Sequence, residues 1–201
     1  MSDLVLIGAG GHAMVVAEAA AFAGMRVLGV YDDALDAAAC RLLRLPHLGT
    51  LKDLSTAHAP CIVALGDIAL RRRILGGRLP GPAARVIHPR SIVHLSARVG
   101  DGAYVGPGAV IHTFADIGRH AIINSGAIVE HECAVGENTH IAPGSVLGGR
   151  VRVGTDSLIG LGSRVLPNLT IGSGCTVAAG AVVIRDVPDG ATVAGIPAKR
   201  A

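Results

Sequence analysis

His131 and Glu132 stand side by side in the stretch Asn124-Ser125-Gly126-Ala127-Ile128-Val129-Glu130-His131-Glu132-Cys133. An imidazole exchanges protons near neutral pH, and an adjacent carboxylate can fix its tautomer and raise its basicity. Such a pair suits a general base that deprotonates an attacking amine or hydroxyl during acyl transfer. The bland alternative is a surface histidine beside a solvated glutamate. Gly149 follows His131 by eighteen residues; its bare backbone amide could serve an oxygen that gains negative charge, although a simple turn glycine would look the same. A second set of residues lies near the N-terminus. Gly8-Ala9-Gly10-Gly11-His12-Ala13 follows the apolar run Leu4-Val5-Leu6-Ile7, with Asp32-Asp33 about twenty residues on and Gly66-Asp67 after a further apolar run. Amides at a helix N-terminus can hold a phosphate, and an acid at a strand end can hold a ribose or sugar hydroxyl.

A repeat must position the first set. From Ser91 to Asp186 the chain cuts into sixteen hexads, and every third position is Val, Ile or Leu, from Val93 through Ile111, Val129, Leu147 and Val165 to Val183. A strict period of six fits neither a helix nor a hairpin sheet and requires a solenoid of short strands and turns. A second period of eighteen lies over it. Gly100, Gly118, Gly136, Gly154 and Gly172 recur at position four of one hexad set, and Gly108, Gly126, Gly144, Gly162 and Gly180 at position six of the next. Three hexads therefore make one three-sided coil, with residues eighteen apart stacked about 4.8 Å from one another. The third corner breaks the glycine rule. Its columns read His94, His112, Glu130, Gly148, Leu166, Ile184 and Leu95, Thr113, His131, Gly149, Pro167, Arg185, which puts Gly149 one coil above His131.

The second set needs a βαβ unit: a strand over residues 4–8, a helix to about Phe22, a strand from Arg26 to Tyr31, a third over Cys61 to Leu65 and a helix around Arg71 to Leu75. The glycine turn matches a dinucleotide fingerprint weakly, and about 87 residues are too few for the two halves of a full dinucleotide fold. A mononucleotide-sized ligand fits better than hydride transfer. Val86-Ile87-His88-Pro89 reads as a junction, since Pro89 restricts His88 to extended backbone and gives His88 a structural part. The expected organisation is an α/β unit over 1–87 and a coil with its tail over 88–201.

Composition narrows the rest. Of 201 residues 28 are Gly, none is Trp, and only two each are Phe and Tyr, so the core must be aliphatic and built on many tight turns. A content of 50% hydrophobic and 16% charged residues excludes disorder. No basic run exceeds Arg71-Arg72-Arg73, and without aromatic platforms a nucleic-acid surface has no support. Cys40, Cys61, Cys133 and Cys175 form no CxxC pair; they read as buried thiols in a reducing cytoplasm rather than a disulfide or zinc framework. The apolar start is broken by glycines, His12 and Glu18 and has no basic leader, so neither a signal peptide nor a membrane span is expected.

The sixfold pattern over 91–186, with the tail Gly195-Ile196-Pro197-Ala198-Lys199-Arg200, resembles the left-handed parallel β-helix of the hexapeptide-repeat acyltransferases. Together with the N-terminal βαβ unit and the His-Pro junction, it resembles the nucleotide-sugar N-acetyltransferases similar to the bacillosamine-pathway enzyme, and the related sialic acid O-acetyltransferases. The resemblance implies a homotrimer with active sites between subunits and acetyl-CoA as co-substrate, without metal or nicotinamide. His131 is then the general base, Glu132 its orienting partner and Gly149 the oxyanion donor, and Asn124 matches a family asparagine near the catalytic histidine, with a ladder or turn role as the plainer alternative. By the same resemblance His140 meets the thioester end of acetyl-CoA, with Leu161 and Ala179 along its pantetheine and adenine ends. Gly10, Gly11, His12, Asp32, Asp33 and Gly66 carry over as the nucleotide-sugar side, while Asp67 and Ile68 depart from asparagines found in relatives. The implied reaction is acetylation of an amino group, at C4, of a UDP- or GDP-linked deoxyamino sugar for surface glycan synthesis. O-acetylation of a sialic-type sugar and a non-catalytic binding solenoid are the rival readings. A γ-class carbonic anhydrase is disfavoured because His112, His120, His131 and His140 are spaced by eight, eleven and nine residues, without the close pair that zinc site needs.

Overall fold

The computed structural model describes residues 2–56, 59–77 and 79–201. The chain divides into two compact units, residues 1–89 and 90–201.

In the first unit β1 (Ser2–Ile7) leads through a glycine turn into α1 (Gly11–Phe22), β2 (Met25–Tyr31), α2 (Ala38–Leu42), β3 (His47–Gly49), β4 (Cys61–Val63) and α3 (Ile68–Leu75). The strands form one parallel sheet in the order β3-β2-β1-β4. Ile7 pairs with both Tyr31 and Val63, so the residues that follow all three emerge at one sheet edge, on either side of the point where strand order reverses. That is where open α/β sheets bind ligands. Gly8 turns the chain there at φ +103°, and a Cβ on it would lie 2.5 Å from a Leu65 methyl, a conformation and a contact that only glycine accommodates. Val5, Ile7, Tyr31, Leu54, Cys61 and Val63 form the core. The sequence reading places β1, α1, β2 and β4 and omits α2, β3 and a 3-10 turn over Leu51–Thr56, all short segments with too few residues to show a period. His88 is buried against Phe22, with ring centroids 5.3 Å apart.

The second unit is the three-sided coil. Each hexad contributes a two-residue strand at its second and third positions, from Ile92–Val93 to Val182–Val183. Strands eighteen residues apart pair in parallel, as in Ile122 with His140 and Val129 with Leu147. Third-position side chains from Val105 to Val183 are buried and form the core of the coil, while the first two, Val93 and Val99, are half-buried. The final turn is shorter: Thr176 pairs with Thr192, after which Lys199–Arg200 folds back antiparallel on Val193–Ala194. That hairpin covers a sheet edge otherwise open to pairing. Fourteen of the sixteen sixth positions, all but Ser96 and Asp186, are left-handed. One corner fills the position with glycine, whereas Phe114, Glu132, Arg150 and Asn168 hold φ of 57°, 58°, 62° and 64° at the variable corner. Such backbone costs a non-glycine residue about 1–2 kcal/mol, a cost the repeat imposes in exchange for side chains at that edge.

Among the described residues no helix is long and apolar enough to cross a membrane. The cysteines are free; Cys61, Cys133 and Cys175 are buried and Cys40 is half-buried.

Candidate active site

The variable corner carries a linked set of side chains. His131 Nδ1 lies 3.0 Å from Glu132 Oε2, and Arg150 Nε donates to the same oxygen at 3.1 Å. Glu132 and Arg150 are eighteen residues apart and share the left-handed sixth position, so coil stacking sets one above the other. The hydrogen bond from His131, followed by the charge of Arg150, holds the Glu132 carboxyl below its usual range. A carboxylate at Nδ1 keeps the proton on that nitrogen and leaves Nε2 as the base. Nε2 faces the coil above: a Cβ on Gly149 would fall 2.5 Å from it, which only the absence of a side chain permits. Among the described residues nothing accepts a hydrogen bond from the Gly149 amide, while the neighbouring Gly148 and Arg150 amides bond to Val165 and His131 carbonyls. A base nitrogen and an unengaged N–H thus stand together at one corner, the geometry for taking a proton from a nucleophile while stabilising charge on a carbonyl oxygen. In the adjoining fourth-position column of the same corner His94 and His112 stack with centroids 4.4 Å apart.

Asn124 and His140 form a separate pair. Asn124 Nδ2 lies 3.0 Å from His140 Nε2, and Asn124 Oδ1 accepts from the Ser125 amide at 2.8 Å. With the amide so oriented, Nε2 of His140 accepts and its proton sits on Nδ1. Asn124 follows the strand Ile122–Ile123, and His131 follows Ile128–Val129 on the next face. Within one chain Asn124 therefore meets His140 and not His131. Leu161 and Ala179 stack at the corner that carries Asn124, joined by the Gly180 amide to the Leu161 carbonyl at 2.7 Å, and both are exposed, Leu161 by 58%. An exposed leucine at a fixed step along the axis offers an apolar rail to an extended ligand.

At the sheet edge of the first unit, α1 begins after Gly10 with no side-chain cap and no acidic residue in its first turn. Space beside Gly10, Gly11 and Gly66 is open within 4 Å of where a Cβ would stand. His12 is half-buried. Uncapped amides with clear access are able to hold an anion. α3 differs, since Asp67 caps it by accepting from the Leu70 amide at 2.7 Å. Asp32 is engaged on both oxygens, from the Ala9 amide at 2.7 Å and the Ala34 amide at 2.9 Å, and so braces the glycine turn. Asp33 Oδ1 accepts from the Leu51 amide at 3.0 Å, which leaves its second oxygen for a ligand.

Arg150 is the residue that reading the sequence misses. Its signal was present, because stacking by eighteen sets its charge directly over Glu132. Among the described residues no group of three or more His, Cys, Asp and Glu is placed to hold a metal ion.

Known proteins resemble this chain along its length. The family model described as the PglD N-terminal domain matches residues 3–76, and the one described as bacterial transferase hexapeptide (six repeats) matches residues 114–149. No curated protein sequence matches. A variant of perosamine N-acetyltransferase from Caulobacter crescentus, solved with CoA and GDP-perosamine, is 34% identical over 100% of this chain and 97% of its own, with a TM-score of 0.89. The acetyltransferase domain of PglB from Neisseria gonorrhoeae, solved with acetyl coenzyme A, is 37% identical over 99% and 98% of the two chains, with a TM-score of 0.92. WeeI from Acinetobacter baumannii, 24% identical over the whole of both chains with a TM-score of 0.83, has the same fold.

Proposed function

The chain belongs to the left-handed β-helix, hexapeptide-repeat N-acetyltransferases of the perosamine and bacillosamine type, and on that premise we propose that it moves the acetyl group of acetyl-CoA to the C4 amino group of a nucleotide-linked deoxyamino sugar. Acyl transfer from acetyl-CoA follows from the family. The observation that carries the finer reading is His131 Nε2 set against the bare Gly149 backbone, with Glu132 at Nδ1.

His131 Nε2 accepts a proton from the sugar amine as the amine nitrogen bonds to the acetyl carbon. Gly149 donates its N–H to the carbonyl oxygen, which gains charge at that moment. The carbon–sulfur bond then breaks, and His131 returns the proton to the departing thiolate, so that amide and free thiol leave and the imidazole is neutral again. Glu132 holds the ring and offsets the imidazolium charge. His140, with its tautomer fixed by Asn124, and the Leu161–Ala179 rail belong to the acetyl-CoA side. They occupy a different face and corner from His131, which favours a homotrimer in which one chain's rail faces its neighbour's base. The uncapped turn Gly10, Gly11 and His12 takes the nucleotide phosphate, and the free oxygen of Asp33 takes a hydroxyl, with Asp32 as its brace and Gly66 leaving the edge open.

Thiol release from acetyl-CoA across GDP-, UDP- and CMP-linked amino sugars and free sialic acid tests this. Turnover on one 4-amino nucleotide sugar names the carrier. Turnover on a hydroxyl acceptor alone moves the reaction to O-acetylation, and no turnover on any acceptor leaves a binding solenoid.

A further inference from the structure

Inside the coil a second ladder runs between first and fourth hexad positions. The hydroxyls of Thr139, Ser145 and Ser157 donate to the carbonyls of Gly154, Gly160 and Gly172 at 2.6, 2.7 and 2.8 Å, each fifteen residues on. Cys133 makes the same bond, its Sγ 3.1 Å from the Gly148 carbonyl oxygen. What distinguishes this rung is its place. The five first-position residues that lie under the variable corner are Ala97, Ala115, Cys133, Val151 and Leu169, and only the cysteine has a side chain able to donate. Its bond falls on the coil that carries the catalytic glycine.

The Gly148 carbonyl and the Gly149 N–H belong to one peptide unit. A trans peptide is planar, with its C=O and N–H pointing in opposite directions. Cys133 and the Val151 amide, at 3.3 Å, both hold the carbonyl oxygen from within, and the N–H is thereby turned outward to the side where His131 stands. Burial pushes the Cys133 thiol up to about 11; it keeps its proton at working pH and acts as a donor, not a nucleophile.

We propose that Cys133 is a positioning residue for acyl transfer, fixing the Gly148–Gly149 peptide so that its N–H meets the acetyl oxygen. The proposal rests on the reading of Gly149 as oxyanion donor, and the test separates the two. In the full-length chain Cys133→Ala removes the donor with a residue that the repeat already carries at Ala97 and Ala115, and Cys133→Ser keeps a donor like that of Ser145. Cys133→Ala should lower kcat about tenfold with KM for acetyl-CoA unchanged, and Cys133→Ser should restore kcat to within about twofold of the native enzyme. Ser157→Ala removes a rung at another corner and should reduce thermal stability while leaving kcat intact. An ester at position 149, made by incorporating glycolic acid, removes the N–H alone and should lower kcat at least as far. Native kcat in Cys133→Ala, or a serine variant no better than alanine, overturns the role of Cys133 while an impaired ester variant leaves Gly149 in place. Native kcat in the ester variant overturns the role of Gly149 and the proposal with it.

Discussion

In the proposed reaction His131, Glu132, Gly149 and Arg150 divide one task. The base must present Nε2, the carboxylate must hold Nδ1, and the coil above must leave room for the acyl group. His131→Ala should reduce kcat by about 10²–10⁴ without changing the oligomer, because the side chain is 46% exposed at a corner and lies outside the packed interior; steady-state thiol release reads this directly. Gly149→Ala places a methyl 2.5 Å from Nε2 and displaces the ring, and a displacement of that order costs about 10²-fold in turnover. A kcat near the native value would show that the ring and this glycine do not work together. Arg150 acts on Glu132. Its charge, after the His131 hydrogen bond, is a cause of the lowered Glu132 pKa; with the folded value depressed, the pairing is present above the ordinary carboxylate range and lost as pH falls through the folded value. Arg150→Ala should therefore move the Glu132 carboxyl titration, followed by carbon NMR, to higher pH. An unmoved midpoint would remove Arg150 from the set.

At the scale of the element, the solenoid was legible because its period is strict. Val129 and Leu147 could be placed in the core and His131 beneath Gly149 from spacing alone, since in-register stacking by eighteen converts sequence distance into contact. The same rule brings Arg150 to Glu132, a pairing visible only when charge is read down a column rather than along the chain. Asn124 was not legible in this way. Its partner His140 lies sixteen residues on, so the contact is a diagonal set by side-chain reach and not by register. Nor could spacing show that Asp32 is consumed by the Ala9 and Ala34 amides, because backbone donors leave no mark in composition. The aliphatic column should govern stability apart from catalysis. Ile117→Ala, at a side chain 1% exposed, should cost about 2–5 kcal/mol in chemical denaturation and leave kcat unchanged under native conditions. A large loss of kcat in a folded Ile117 variant would tie the core to the chemistry in a way the geometry does not support.

The whole molecule carries an α/β sheet edge with an uncapped helix start and a coil with one corner that holds the proposed base. Because the Leu161–Ala179 rail and the proposed base His131 occupy different corners, the assembly matters as much as the chain. Light scattering should return the mass of three 20.2 kDa chains, and a stable, fully active monomer would place both halves of the site within one subunit. The central claim is amide formation by His131 on a nucleotide-linked amino sugar. The most direct test is to incubate native protein and His131→Ala with acetyl-CoA and a GDP- or UDP-linked 4-amino sugar and to locate the new acetyl group by tandem mass spectrometry. The account predicts an acetamido group at C4 with the native protein and a loss of about 10²-fold or more with the variant. An ester product, or equal yields of amide from both proteins, would contradict it.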